Sequence, residues 1–159
     1  MPKLRHSLLA AAVSAALPLF AQAQPAPDLD SLTAAQAAAD ICAGKYTSEA
    51  LVGAALARAR ARADLNAFIT LDEAGALKAA KAADAARKRG ACKPLDGVPV
   101  VIKDNIEVAG LPASAGTPAL KGFVPKADAP VAAKLRAAGA IVLGKTNMHE
   151  LAFGISGYN

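Results

Sequence analysis

A chain of 159 residues, 54% hydrophobic, 19% charged and 4% aromatic, fits one domain rather than two. Much of the apolar content is alanine, which favours helix but buries little surface per residue, so the core must pack closely or be completed by further chain. The formal net charge of +5 is not gathered into a stripe, and with no Trp and few other aromatics to stack bases, the composition argues against a nucleic-acid partner.

Lys3, Arg5 and His6 open the chain. Leu8 to Phe20 then runs apolar except for Ser14 and Pro18, and ends in Ala21-Gln22-Ala23, the small-x-small pattern of signal peptidase. This predicts a signal peptide over 1–23, a linker over 24–30 and a folded portion over 31–159, in the periplasm or secreted. The run is shorter than the roughly 20 apolar residues of a membrane span. No cysteine follows the cleavage site and no Arg-Arg pair precedes it, so no membrane anchor is expected after cleavage. Export puts Cys42 and Cys92 in an oxidising compartment; a bridge and two small buried apolar residues are equal alternatives.

Thr33 or Ser31 caps a first helix running to Ala43, with Gly44 past its end. Ser48 is expected to cap a second, from Glu49 to about Ala63, with Leu51, Ala55 and Leu56 inward. Ala67 to Leu71 reads as a strand, and Asp72 caps a third helix ending in the cationic Arg87-Lys88-Arg89-Gly90. Val98 to Ile102 is a continuous apolar run of the kind buried on both faces of a sheet. After the Gly/Pro-rich stretch from Gly110 to Pro125, Asp128 is expected to cap a helix with Pro130 in its first turn and Val131, Leu135 and Ala138 inward. Gly139 ends it, and Ala140 to Leu143 forms another buried strand. Strand, helical crossover, strand: the class is α/β with parallel character.

Three strings imitate known sites. Gly139-Ala-Ile-Val-Leu-Gly-Lys-Thr146 satisfies the Walker A spacing, yet its four variable residues look like the strand itself, whose amides would be committed to a ladder instead of a phosphate. His149-Glu-Leu-Ala-Phe153 lacks the second histidine of a zinc helix. Gly154-Ile-Ser-Gly-Tyr158 lacks the last glycine of a nucleophile elbow.

Lys103 is the remaining candidate. It follows an apolar strand directly, and Asp104 and Asn105 are turn formers that would aim the strand end into a cleft. Two explanations stand. A strand edge reaching solvent is one. The other is a base whose proton affinity burial lowers from the ordinary lysine value, about 10.4, towards neutrality.

Leu95-Asp-Gly-Val-Pro-Val-Val-Ile-Lys-Asp-Asn-Ile106 resembles the lysine motif of the amidase-signature family. So do Ala109-Gly-Leu-Pro-Ala-Ser-Ala-Gly-Thr117, Gly122-Phe-Val-Pro125 and Ala138 to Gly154, in register and in order. The wording at Thr117-Pro, Asp128-Ala-Pro and Asn147 to Ile155 is most similar to indoleacetamide and mandelamide hydrolases. The resemblance implies the N-terminal part of a mixed sheet covered by helices, incomplete as given. It implies hydrolysis of a small carboxamide to acid and ammonia by a Ser-cisSer-Lys triad, without metal or organic cofactor. Lys103 matches the triad lysine, and Phe153 and Gly154 fall where the family lines the acyl side of the pocket, although core and turn roles explain them equally well. Both triad serines would follow Asn159, and neither Ser114 nor Ser156 matches them, so the 159-residue chain alone is expected to be inactive. The alternative is a small Ala-rich periplasmic interaction module without catalysis.

Overall fold

The computed structural model describes residues 27–87 and 92–155; the segment 1–23 expected to be a signal peptide, the first part of the expected linker, Lys88 to Ala91 and Ser156 onward lie outside the described residues. Helix α1, Ala34–Cys42, starts where the Thr33 hydroxyl accepts from the Gln36 amide, and Gly44 beyond it has φ +73°. Helix α2, Ser48–Ala61, is capped by Thr47, one residue before the expected Ser48. Ser48 lies inside the first turn and is buried, because Asp84 reaches across to accept from the Ser48 and Glu49 amides at 2.8 and 3.1 Å. That carboxylate on a helix N-terminus satisfies two otherwise orphaned donors and complements the helix dipole.

Strand β1, Phe68–Leu71, leads into helix α3, Glu73–Arg87, which Asp72 caps through the Gly75 amide as expected. Strand β2 spans Pro99–Lys103, helix α4 Pro130–Ala137 and strand β3 Ile141–Thr146. Pro130 occupies the first turn of α4, but Asp128 does not cap it. Its carboxylate accepts from the Ala109 amide at 2.7 Å and ties the preceding loop down instead. The inner stripe of α4 is Ala132 and Leu135; Val131, expected inward, is 48% exposed.

The sheet order is β1-β3-β2, with β2 parallel and β1 antiparallel to the central β3. Helices α2 and α3 cover one face, packing Val52, Leu56, Ala76 and Ala80 on Ile141 and Leu143. The other face carries Val108, Leu111 and α4 against Ile102 and Val142. Burying Leu56 and Val52 fully is worth roughly 1.5–3 kcal/mol each. Strand β2 is an edge, so the burial on both faces expected of Val98 to Ile102 is not met: Val101 is 47% exposed.

Cys42 and Cys92 form a disulfide with Cα atoms 5.9 Å apart, closing a loop of 50 residues. A loop of that length is worth about 4 kcal/mol in the chain-entropy account.

Register across the parallel pair holds the feature that positions the site. Val100 faces Val142, but the next residue, Val101, faces Gly144. Strand β3 therefore carries one extra residue, a bulge of the kind that re-aims side chains. Without it, alternation would put Lys145 on the face of Ile141 and Leu143, beneath the helices. With it, Lys145 lies opposite Ile102, on the face of Val142. Gly144 sits in this bulge because a Cβ there would meet the Thr70 carbonyl oxygen at 2.1 Å. Gly53 in α2, by contrast, has nothing within 4 Å of its missing Cβ. Gly144→Ala should cost about 3 kcal/mol by overpacking, whereas Gly53→Ala should add up to about 1 kcal/mol through helix propensity; urea midpoints of the two variants should move in opposite directions.

Candidate active site

The parallel strands β2 and β3 end side by side, Lys103 opposite Thr146. In open α/β sheets, ligands gather at such carboxyl ends. Two lysines meet this edge from opposite faces, and they differ in every respect that matters.

Lys103 shares the face of Val101, is exposed, and its ammonium has no ion pair or hydrogen bond among the described residues. The solvent-reaching strand end is thus what the described chain shows, and the burial considered for Lys103 falls on Lys145. Lys145 is wholly buried. Its ammonium lies 3.1 Å from the Pro112 carbonyl oxygen, 3.4 Å from that of Asp104 and 3.3 Å from Asp104 Oδ1. Two carbonyls accept hydrogen bonds from it and the carboxylate supplies an opposite charge, so the buried ammonium is compensated.

Asp104, also wholly buried, is the hub. Its Oδ2 accepts from the Ser114 amide at 2.9 Å and the Ser114 hydroxyl at 2.6 Å. Oδ1 makes no aligned hydrogen bond, so its approach to Lys145 is a charge contact. The backbone of Asp104 donates to Thr146 O at 3.2 Å and accepts from the Ala115 amide at 3.4 Å. Ala115 in turn accepts from the Leu151 amide at 2.8 Å. One carboxylate thereby connects the end of β2, the loop after it and the segment after β3.

That last segment carries the other two candidates. Phe153 is 92% exposed behind the short turn Glu150–Ala152. Gly154 lies against the His149 ring, whose Nε2 would be 2.3 Å from a Cβ at that position. What joins this segment to Lys103 is the backbone relay through Asp104 and Ala115. Ala115, Leu151 and Ala152 adopt left-handed φ of 50°, 51° and 61°. Each such non-glycine residue costs on the order of 1–3 kcal/mol, strain that persists where surrounding structure over-determines it.

Thr117 is buried and its hydroxyl accepts from the Ala119 amide, a turn role. An open groove of about 500 Å³ runs beside Ser114, floored by Ile69, Pro112, Thr117, Pro118 and Lys121. In the motif before β2, burial pushes the Asp96 carboxyl above the usual aspartate range, and Lys93 and Arg87 pull it partly back. Among the described residues no three His, Cys, Asp or Glu side chains converge as a metal site requires. Gly144-Lys145-Thr146 lies within β3, so the Walker A imitation is part of a ladder.

The roles of Asp104, Ser114 and Lys145 escaped the residue patterns. The available signal was Gly144: an isolated glycine in a strand marks a bulge, and shifting the face by one residue aims the lysine after it at Asp104.

A family model described as Amidase matches residues 50–159, and the chain belongs to that family. Mandelamide hydrolase of Pseudomonas putida is 50% identical over 142 residues, covering 89% of this chain and 27% of that protein. A glutamyl-tRNA(Gln) amidotransferase subunit of Streptomyces coelicolor is 42% identical over 134 residues, 83% of this chain and 27% of the relative. The native peptide amidase of Stenotrophomonas maltophilia superposes with a TM-score of 0.72 at 41% identity, over 79% of this chain and 26% of that one. The chain thus spans about a quarter of the length of the curated relatives it matches.

Removing one member of a buried ion pair leaves the other uncompensated, at a cost of about 3–5 kcal/mol. Lys145→Met should lower unfolding stability by that amount, and Lys103→Met, on the exposed face, by less than about 0.5 kcal/mol. Denaturant titration of the two variants separates them.

Proposed function

We propose that these residues form the N-terminal part of an exported amidase that hydrolyses a small carboxamide to carboxylic acid and ammonia, with Lys103 as general base. The observation that carries the reading is the pairing of opposites at one sheet edge. Lys145 is buried and held by two carbonyls and a carboxylate, while the Lys103 ammonium, at the carboxyl end of a parallel strand, has no partner among the described residues. A lysine enclosed by two carbonyls and a carboxylate is closed to a reacting group, whereas one at the strand end is open to it.

The chemistry follows. Once further chain covers Lys103 and so favours its uncharged form, the amine would draw a proton, through a bridging serine held by a cis peptide, from a second serine. That oxygen attacks the amide carbon, backbone amides hold the oxyanion, ammonia leaves, and water cleaves the acyl-enzyme. In this reading both serines would lie in chain beyond Asn159. Phe153 and Gly154 would wall the acyl side; an aromatic side chain 92% exposed here is suited to being covered by substrate or by further chain. The likeness to mandelamide hydrolase favours an arylacetamide-type substrate. The Cys42–Cys92 disulfide supports export, since such bridges persist in oxidising compartments.

Ammonia release from mandelamide, phenylacetamide and indole-3-acetamide by the full-length gene product tests this. Turnover is expected, and Lys103→Ala should reduce it by about 10³-fold or more; the 159-residue chain alone should show none. Undiminished turnover in Lys103→Ala would end the assignment.

A further inference from the structure

With the amidase reading of Lys103 as its premise, we infer that Asp104, Lys145 and Ser114 form a positioning unit that holds Lys103 and the Phe153–Gly154 segment in fixed relation from the opposite face of the sheet. None of the three lies on the face of the sheet from which Lys103 projects. They act through backbone. Asp104 adjoins Lys103 in the chain, and its amide is pinned to Thr146 O, the register partner of Lys103. Its carboxylate is clamped by the Ser114 amide and hydroxyl on one oxygen and by the Lys145 ammonium on the other. The clamp on Ser114 fixes the next residue, Ala115, whose carbonyl accepts from the Leu151 amide. Leu151 and Ala152 carry the left-handed turn that leads directly into Phe153.

The unit has the properties positioning requires. Its two charged members are wholly buried, so water does not compete at either charge. Its bonds to the carboxylate are charge-assisted, and the Ser114 hydroxyl contact is short at 2.6 Å. It joins the end of β2 and the loop around Ser114 to Lys145, 41 residues along the chain from Asp104, so slack at any one of them is transmitted to the others. An apolar trio of similar volume would hold the sheet without desolvating two charges. What it would not supply is a directional link from the β2 terminus to the loop. A small displacement of a general base costs rate while leaving ground-state binding alone, so the signature is a fall in kcat at constant KM.

Ser114 is the residue to test, because it is only half-buried and its loss leaves both charges paired. In the full-length enzyme, Ser114→Ala should lower kcat about tenfold with KM within about twofold, and Ser114→Thr, which keeps the hydroxyl, should restore most of it. Lys145→Met should lower kcat about a hundredfold if it folds. Amide hydrogen exchange supplies a readout that needs no turnover: Ser114→Ala should accelerate exchange at Ala115 and Leu151 together about tenfold, and leave the α2 amides unchanged. Unaltered exchange at Leu151 overturns the mechanical link. Accelerated exchange with unaltered kcat, or a loss that threonine does not restore, overturns the positioning role. Absence of amide turnover in the wild type, with the exchange effect present, refutes the amidase premise and leaves the link standing.

Discussion

A buried ammonium held by a buried carboxylate governs this part of the molecule. Lys145 and Asp104 are both withdrawn from water, in a chain whose remaining core is largely small and apolar. Isolated, either charge would cost several kcal/mol to bury. Together, with the carbonyls of Pro112 and Asp104 and both donors of Ser114, they are accommodated, and the loop from Pro112 to Ala115 takes its path from them. The bulge at Gly144 makes the meeting possible, and the absence of a side chain at Gly144 makes the bulge possible.

Most helices were legible in the residues because their starts and stops are local. Thr33, Asp72, Gly44 and Pro130 each act within one turn, and each sits where its chemistry predicts. The errors at Ser48 and Asp128 have different causes. At α2 the neighbouring Thr47 takes the local cap, and Asp84 from α3 serves the Ser48 and Glu49 amides, while Asp128 is drawn to the Ala109 amide instead of α4. The bonds of Asp84 and Asp128 are long-range, and nothing in a window of a few residues reveals them. Val98 to Ile102 misled for a similar reason: an apolar run does not distinguish a central strand from an edge whose cover lies elsewhere.

The candidate site was read in a different way. Lys103, Phe153 and Gly154 came from ordered motif blocks, and family membership over residues 50–159 supports the blocks while leaving each residue's role to experiment. The supporting unit was not legible. Alternation along Ile141 to Lys145 assigns the lysine to the wrong face, and only the register shift moves it across the sheet. Burial likewise exchanged the two lysines: the one in the motif is exposed, and the one in the imitation nucleotide loop is enclosed.

The division of labour between these lysines is the centre of the account, and amine reactivity reads it directly. Brief acetylation of the native protein, followed by peptide mass spectrometry, should modify Lys103 as fast as the other exposed lysines, with Lys145 at least about a hundredfold slower until denaturant unfolds the chain. Equal labelling of Lys145 and Lys103 in the folded protein would contradict the buried pair, and with it everything built upon it.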